Sequence, residues 1–286
     1  MKRQLKEGFK PEGTPDMKYY AFDWDDNIVH MPTKIMLKTE DGDEIGMSTD
    51  DFAEYRHDLG KNPVQYKGET IVGFADNPFR NFKTEGDKDF IIDAMRAKEG
   101  PAFDDFREAI NNGSIFSIIT ARGHNPSTLK QAIYNYIIKG FNGIDKDSLI
   151  KNLKKYRTFV GEEDMSDDEL IKSYLNLNKY HPVTFGEGSA ANPEELKVKA
   201  MEKFVSYIKK MASKLNKRAF IKNEVSNNFI PNEPVIGFSD DDIKNVEVMS
   251  KHFKDKPDNI VKTYSTAGGI KTVSYTHLTL PTKRIV

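Results

Sequence analysis

The sequence predicts an α/β fold, a three-layer, Rossmann-like sandwich in which a central parallel sheet lies between two layers of helices. Two observations lead to this fold class. Short apolar, β-prone runs, clearest at residues 18–22, 115–119 and 234–238, alternate with segments of helical periodicity. Several of these runs end in acidic or hydroxyl residues, and in parallel α/β sheets ligands bind beyond the carboxyl ends of the strands.

Composition limits the classes of function. The 286 residues include 43 Lys and Arg and 44 Asp and Glu, so the net charge of −1 gives no bulk attraction to nucleic acid or anionic membrane. The absence of cysteine excludes disulfides, thiolate catalysis and cysteine-based zinc sites. The sequence has neither a recognisable signal peptide nor an apolar run of the ~20 residues that a membrane helix needs. We therefore expect a cytoplasmic protein with no membrane partner and no obligate protein partner.

The first hundred residues divide into a tail, a first strand and a long insertion. Residues 1–16 are polar and are expected to form a flexible tail. Residues 17–27 open the core with a buried strand that ends at Asp23. Residues 28–100 have weak periodicity and are treated as one flap or cap insertion.

Two elements are predicted within the insertion. A hairpin spans 33–49, because two β-prone runs flank Asp41-Gly42, which is a strong turn signal. A short helix follows, capped at Asp50 and extending through Arg56.

The remaining core spans residues 101–272 and contains a lysine-rich helical insertion at about 140–180. The lysines of 146–172 favour a solvated helix face over contact with nucleic acid. The predicted core elements are, in order, a helix ending near Gly113, a strand at 115–119, a helix at 127–138, a strand at 183–185, a helix opening at Asn192, a strand at 234–238, a helix at 243–253 and a strand at 259–264.

Residues 273–286 match no element of the predicted fold. Their sequence is similar to the translation of a sequencing-library adapter. We expect them to form a non-native tail that does not pack on the core.

Acidic and hydroxyl side chains follow separate predicted strands, at Asp23, Asp25, Thr120 and Asp240. Phosphoryl transfer requires a nucleophile, charge neutralisation and positioning. A carboxylate can be the nucleophile and then forms an aspartyl-phosphate, while a second carboxylate two residues later can protonate the leaving oxygen. Crowded carboxylates need a cation between them, and Mg²⁺ suits this place because it binds a few carboxylates and keeps several waters.

Four stretches of sequence carry these groups. Residues 22–28, Phe-Asp-Trp-Asp-Asp-Asn-Ile, place two aspartates after a strand, and residues 118–122 end an apolar strand in Thr and Arg. Residues 192–197 place a lysine near a helix start. Residues 240–246 follow a strand and have the pattern Asp-Asp-x-x-x-Asn, in which Asp240 and Asp241 are the two aspartates. In this order they resemble the four motifs of the haloacid-dehalogenase-like hydrolases, discontinuously across 18–264.

The resemblance implies a Mg²⁺-dependent phosphatase that hydrolyses phosphomonoesters through an aspartyl-phosphate on Asp23. Asp25 is then the general acid/base, and its backbone carbonyl also binds the metal. Thr120 and Lys197 hold the phosphoryl group. The implied metal ligands are Asp23, Asp25, Asp240 and Asp241, and we expect the carboxylates of Asp23, Asp25 and Asp240 to converge on one Mg²⁺-sized space. The predicted substrate-binding residues are Asn27 and Arg122.

The sequence leaves several residue assignments open. Asn27 stands where the family motif has Thr, and the bulky Trp24 is expected to point into the apolar layer behind the strand. Lys199 competes with Lys197 as the phosphate-binding lysine. His30 and His124 lie near predicted strand ends, where lining the pocket and a purely structural role are equally favoured.

The substrate class is also open, and a phosphorylated small molecule or a nucleic-acid end is compatible with the motifs. Alternative functions are a phosphotransferase on the same scaffold and a non-catalytic binding module that keeps the metal site. We expect residues 28–100 to close over the site and set substrate choice. Aromatic and cationic side chains there either contact substrate or form the insertion's own core, namely Phe74, Phe79, Arg80 and Phe82.

Overall fold

The protein is described by a computed structural model. The described residues are 19–160, 165–186, 192–222, 234–254, 256 and 260–273. The predicted tail at 1–16 lies outside them, as does the carboxyl-terminal stretch from residue 274 onward. Val273 is described and pairs with Tyr264 at the edge of the sheet, so this first residue of the predicted tail does pack on the core. The non-native origin of the tail stays a prediction.

The described chain alternates strands and helices. The strands are β1 Tyr19–Phe22, β2 Val29–His30, β3 Ile35–Thr39, β4 Glu44–Met47, β5 Val64–Tyr66, β6 Glu69–Phe74, β7 Lys98–Glu99, β8 Ile115–Thr120, β9 Lys179–Pro182, β10 Ile236–Asp240, β11 Val261–Ser265 and β12 Thr272–Val273. The α-helices are α1 Thr49–Tyr55, α2 Asp87–Ala94, α3 Phe103–Asn111, α4 Pro126–Lys139, α5 Lys146–Val160, α6 Asp167–Leu177, α7 Pro193–Lys222 and α8 Ile243–Lys254.

The main sheet confirms the predicted α/β class. Five strands run parallel in the order β11-β10-β1-β8-β9, and β12 adds an antiparallel edge. From β1 the chain proceeds outward through β8 and β9, and it then returns to place β10 and β11 on the other side. Strand order therefore reverses between β1 and β10, and a crevice for ligands forms at such a switch point.

Helices cover both faces of this sheet because side chains alternate between the faces of a strand. Phe22 of β1 joins a buried apolar cluster with residues of α3, α4, α5 and α6. Its neighbour Ala21 joins a second cluster with residues of α7 and α8. Trp24 is fully buried in the first cluster and stacks on Tyr136 at 6.0 Å between ring centroids, as the sequence predicted.

The insertion at 28–100 divides into two parts that pack differently. Strands β3 to β6 form a separate four-stranded antiparallel sheet, and this sheet with α1 has its own small core around Leu37 and Ile71. Helix α2, in contrast, buries Phe90 and Ala94 in the main core. We call residues 35–82 the flap, and residues 87–100 belong structurally to the core.

The two ends of the insertion meet at the carboxyl edge of the sheet. Gly100 N donates to the Ile28 carbonyl at 2.8 Å, and Ala102 N donates to the Asn27 carbonyl at 2.8 Å. Glycine is required here because a Cβ at position 100 would lie 2.5 Å from the Asn27 carbonyl oxygen. The insertion at 28–100 therefore starts and ends beside the loop that follows β1.

Three local predictions need correction. The third core strand is β9, not residues 183–185: Val183 N still bonds the Thr120 carbonyl, but the chain then turns. Helix α1 is capped by Ser48, whose hydroxyl accepts from Asp51 N at 3.2 Å, so it begins before Asp50. Strand β10 starts later than predicted and extends to Asp240.

The lysine-rich segment at 140–180 is part of the helical layer. Leu149 and Leu153 of α5 and Tyr174 of α6 are buried in the first core cluster, so these helices pack on the sheet layer and do not form a separate insertion. Helix α6 begins with a capping box between Ser166 and Glu169. Among the described residues, no helix is both long and apolar enough to span a membrane.

Candidate functional site

Asp23 and Asp240 are neighbours at the carboxyl edge of the sheet. Phe22 is in register with Ser239, so the next residue of each strand is an aspartate, and Asp23 N donates to the Ser239 carbonyl at 2.9 Å. Each aspartate lies two residues after a buried residue that faces α7 and α8, namely Ala21 in β1 and Phe238 in β10. This pair lies at the switch point between β1 and β10, where the parallel topology forms a crevice.

Lys197 joins the two aspartates. Its Nζ donates to Asp23 Oδ1 at 2.9 Å and to Asp240 Oδ2 at 2.8 Å, and all three side chains are buried. Lys197 faces the sheet because it shares a helix face with Met201 four residues later. Lys199 is exposed, so the lysine at the site is Lys197.

Asp240 is fixed by hydrogen bonds on its other oxygen. Its Oδ1 accepts from Asn245 Nδ2 and from Asp242 N, both at 3.0 Å. Asn245 is the last residue of the fourth motif and was not singled out as functional from the sequence. Its place one turn into α8 was the signal that could have identified it as the anchor of Asp240.

The carboxylates of Asp23, Asp240 and Asp241 form a group whose oxygens lie within 4.8 Å of one another. Burial raises the pKa of Asp23 well above its ordinary value, and Asp240 and Asp25 raise it further, while Lys197 opposes this shift. Burial, followed by the charges of Asp23 and Asp240, likewise raises the pKa of Asp241. These shifts report a buried site with an excess of negative charge.

This donor set can hold a metal ion. When all three carboxyl groups are ionised, one ammonium set against them leaves two negative charges in the group, which a divalent cation balances. Carboxylate oxygens are hard ligands of the kind that Mg²⁺ prefers. The residues that would hold it are Asp23, Asp240 and Asp241.

Asp25 is placed differently from the expected convergence of carboxylates. Both of its oxygens are paired with Arg122, Oδ1 with NH2 at 2.6 Å and Oδ2 with Nε at 2.8 Å. The carboxylate of Asp25 is not part of the acidic group, and a buried guanidinium neutralises it instead. Arg122, predicted to bind substrate, is 1% exposed and binds the protein's own carboxylate.

Asn27 also binds the protein itself. Its Nδ2 lies 3.0 Å from the Asp23 carbonyl and 3.1 Å from both the carbonyl and the hydroxyl of Ser239, and its Oδ1 accepts from Thr266 Oγ1 at 2.8 Å. The side chain is fully buried and all its polar atoms are engaged. These contacts give Asn27 a positioning role, and its contact with substrate stays a prediction.

Thr120 ends β8, the neighbour of β1 opposite β10. Its side chain is buried, and its hydroxyl oxygen accepts from Arg122 N at 3.3 Å. The structure thus places Thr120 at the same edge of the sheet as Asp23, next to the residues that hold Asp25.

A second group of possible ligands lies in the loop after β1. Asp26, His30 and Asp50 offer atoms within 4.8 Å of one another, and His30 Nδ1 lies 2.9 Å from Asp26 Oδ1. Asp26 has a left-handed backbone with φ of 53°. These side chains are more exposed than the Asp23 group, and a hydrogen bond within the group already uses part of their capacity.

The flap contributes an aromatic cluster that packs mainly on itself. Phe79 contacts Phe52, Phe74 and Phe82 at 5.8 to 6.3 Å between ring centroids. Arg80 pairs with Glu44 of β4 at 2.5 Å. These contacts agree with the alternative in which the phenylalanines form the insertion's own core.

The flap also contacts the acidic edge directly. Arg56, at the carboxyl end of α1, lies 3.8 Å from Asp242 Oδ2. This contact places the end of α1 beside the loop that carries Asp240 and Asp241.

Comparisons of this chain with models of protein families, with curated proteins and with solved structures found no match.

Proposed function

We propose that this protein is a magnesium-dependent phosphohydrolase of the haloacid-dehalogenase-like type, with Asp23 as its nucleophile. The observation that carries the proposal is the buried group of Asp23, Asp240 and Asp241, with Lys197 bridging the first two. It lies where the strand order reverses, and ligands of parallel α/β sheets bind at this place.

The chemistry follows from the positions of the charged groups. An Asp23 oxygen attacks the phosphorus atom, and the bond from phosphorus to the leaving oxygen breaks as the aspartyl-phosphate forms. The Lys197 ammonium, already within 2.9 Å of Asp23, stabilises negative charge on the phosphoryl oxygens. When bound, Mg²⁺ supplies the positive charge that lets the carboxylates and the phosphoryl group occupy one buried place.

Asp25 moves the protons in this proposal. Asp25 must enter the reaction as the protonated acid, although both of its oxygens also accept from Arg122. It gives that proton to the leaving oxygen in the first half-reaction, and it regains a proton from the attacking water in the second. In that second step the water oxygen bonds to phosphorus and the bond from phosphorus to Asp23 breaks. Asp25 follows Asp23 by two residues, and its side chain is 18% exposed, so it borders the site.

The test is hydrolysis of an aryl phosphate, 4-nitrophenyl phosphate, with and without Mg²⁺. We expect wild-type turnover to require Mg²⁺. Asp23→Asn keeps the size of the side chain but removes the attacking charge, so we expect turnover to fall at least about a thousandfold with the fold intact by circular dichroism.

Two lysines provide the matched control. We expect Lys197→Met to lower kcat/KM by about a hundredfold or more, because a preorganised cation at the phosphoryl group is lost. The exposed Lys199 lies one half-turn away, and Lys199→Met should retain wild-type kinetics. Wild-type rates in Asp23→Asn would end the proposed mechanism. Formation of a new phosphate ester when alcohols are added would instead assign a phosphotransferase.

A further inference from the structure

Arg122 belongs to the core but is surrounded by side chains from residues 28–100. It follows β8 by two residues and is buried. Its guanidinium lies 4.6 Å from the ring centroid of Phe82 and 5.0 Å from that of Phe90. Its NH2 also donates to Thr33 Oγ1 at 3.2 Å. Arg122 is therefore held between two rings and a hydroxyl that all come from this segment.

His124 supports Arg122 from the other side. Arg122 NH1 lies 3.1 Å from His124 Nε2, and His124 Nδ1 lies 2.9 Å from Asp87 Oδ1. Because arginine has no acceptor, His124 Nε2 must accept and its proton must lie on Nδ1, facing the carboxylate of Asp87. Burial, with the nearby charge of Arg122, lowers the pKa of His124 to about 4, so the His124 side chain is uncharged at neutral pH.

These contacts form a continuous chain of hydrogen bonds from Asp87 to Asp25. Asp87, in the first turn of α2, orients His124, and His124 orients Arg122. Arg122 then binds both oxygens of Asp25. A two-point contact between a guanidinium and a carboxylate fixes the plane of the carboxylate as well as its position. Asp87 of α2 therefore helps to orient Asp25, acting through His124 and Arg122.

We infer that Asp87, His124 and Arg122 are positioning residues that hold the Asp25 carboxyl group in the orientation needed for proton transfer to the leaving oxygen. The inference rests on the proposed function, because it assigns the source of geometry for the acid/base of that reaction. It gives residues 87–100 a role in the chemical step that is separate from any choice of substrate by the flap.

Leaving groups of different basicity test the inference. The departure of 2,4-dinitrophenolate needs no proton, whereas the departure of an alkoxide such as that of glycerol 2-phosphate needs one. Since kcat/KM reports the steps up to loss of the leaving group, it isolates this proton transfer. For Asp87→Ala we expect kcat/KM to fall by about tenfold for the alkyl phosphate and by less than about twofold for the dinitrophenyl phosphate.

The controls come from the same helix and from the same chain of hydrogen-bonded residues. Asp87 and Asp89 are both in the first turn of α2, but Asp89 is exposed, so Asp89→Ala should leave both rates at the wild-type level. Asp87→Asn keeps an acceptor for His124 and should restore most of the lost rate. Arg122→Lys keeps the charge without the two-point contact and should show the same dependence on the leaving group as Asp87→Ala.

A double variant completes the experiment. In an Asp25→Asn background, Asp87→Ala should cause no further loss for the alkyl phosphate, because the group being oriented is already gone. Equal losses for both substrates, or additive losses in the double variant, would refute the positioning role. If the wild-type protein hydrolyses neither substrate, or Asp23→Asn keeps full activity, the proposed function itself fails.

Discussion

At the scale of single residues, Asn27 shows how one buried amide can organise a site. It stands where the resembled motif has a threonine, and its four hydrogen-bonded partner atoms belong to Asp23 just after β1, Ser239 of β10 and Thr266 just after β11. An amide supplies two donors and an acceptor, so it can join three strands at once, whereas a hydroxyl has one donor. Asparagine in place of threonine therefore positions the ends of these strands relative to one another.

Replacing Asn27 tests this role. We expect Asn27→Ala to lower the free energy of unfolding by about 2–4 kcal/mol, because buried acceptors on Ser239 and the hydroxyl of Thr266 lose their partner. The exposed Asn176 provides the control, and Asn176→Ala should change stability by less than about 1 kcal/mol. Urea denaturation measures both. A loss below about 1 kcal/mol for Asn27→Ala would mean that the amide is not a structural link.

The sequence placed the acids of the candidate site better than it placed their partners. Asp23 and Asp240 were predicted at strand ends, and parallel strands bring their carboxyl ends to one edge whatever the loops do. The pairing of Asp25 with Arg122 joins residues 97 positions apart, and it depends on rotamers that periodicity does not encode. Lys197 could be separated from Lys199 once the helix face was known, because the two positions point in different directions.

At the scale of elements, the flap is a small sheet with limited burial. Among the described residues, its own core contains six buried residues, including Leu37 and Ile71, while the main core clusters are far larger. Its hairpin was predictable because Asp41-Gly42 meets the turn requirement, and Gly42 has a φ of 90°. The separate packing of α2 was not predictable, since short segments with weak periodicity do not reveal which core they join.

This difference in burial predicts a difference in local stability. We expect the backbone amides of β3, β4 and β6 to exchange with deuterium through partial opening, at a lower free energy than those of β1, β8 and β10. Hydrogen exchange followed by mass spectrometry resolves these segments. Helix α2 is the internal control, because it follows the flap in sequence but should exchange with the main core. Equal protection of flap and core would show that they open as one unit.

At the scale of the whole molecule, the order of layers was predictable and the role of the long connections was not. Alternating strands and helices fix a parallel sheet with helices on both faces. The sequence did not predict the edge strand β9, because Lys179–Pro182 lacks an apolar run. Such a segment can still form an edge strand, since an edge strand needs less burial than a central one. Segment 140–180 joined the helical layer because its apolar positions, including Leu149 and Tyr174, complete the core.

The buried acidic group also affects the stability of the whole fold. The pKa values of Asp23 and Asp241 are raised in the folded protein, whereas unfolded carboxyl groups titrate near ~4. Between these values the folded state holds protons that the unfolded chain has released. The contribution of these groups to metal-free stability therefore decreases as pH rises through this interval. A bound divalent cation opposes this effect because it favours the ionised carboxylates.

Thermal unfolding with Mg²⁺ or with a chelator tests this charge balance without measuring activity. A ligand at about 100 times its Kd stabilises a fold by about 2.7 kcal/mol, so we expect Mg²⁺ to raise Tm, and to raise it more at pH 8 than at pH 6. Asp241→Asn removes one crowded charge, so it should raise Tm in chelator and reduce the shift caused by Mg²⁺. Asp41→Asn, in the exposed turn of the flap, changes net charge equally and should leave both values unchanged. An equal Mg²⁺ shift in wild type and Asp241→Asn would place the ion away from this group, since ligation by the carboxylates requires that removing one of them weakens binding.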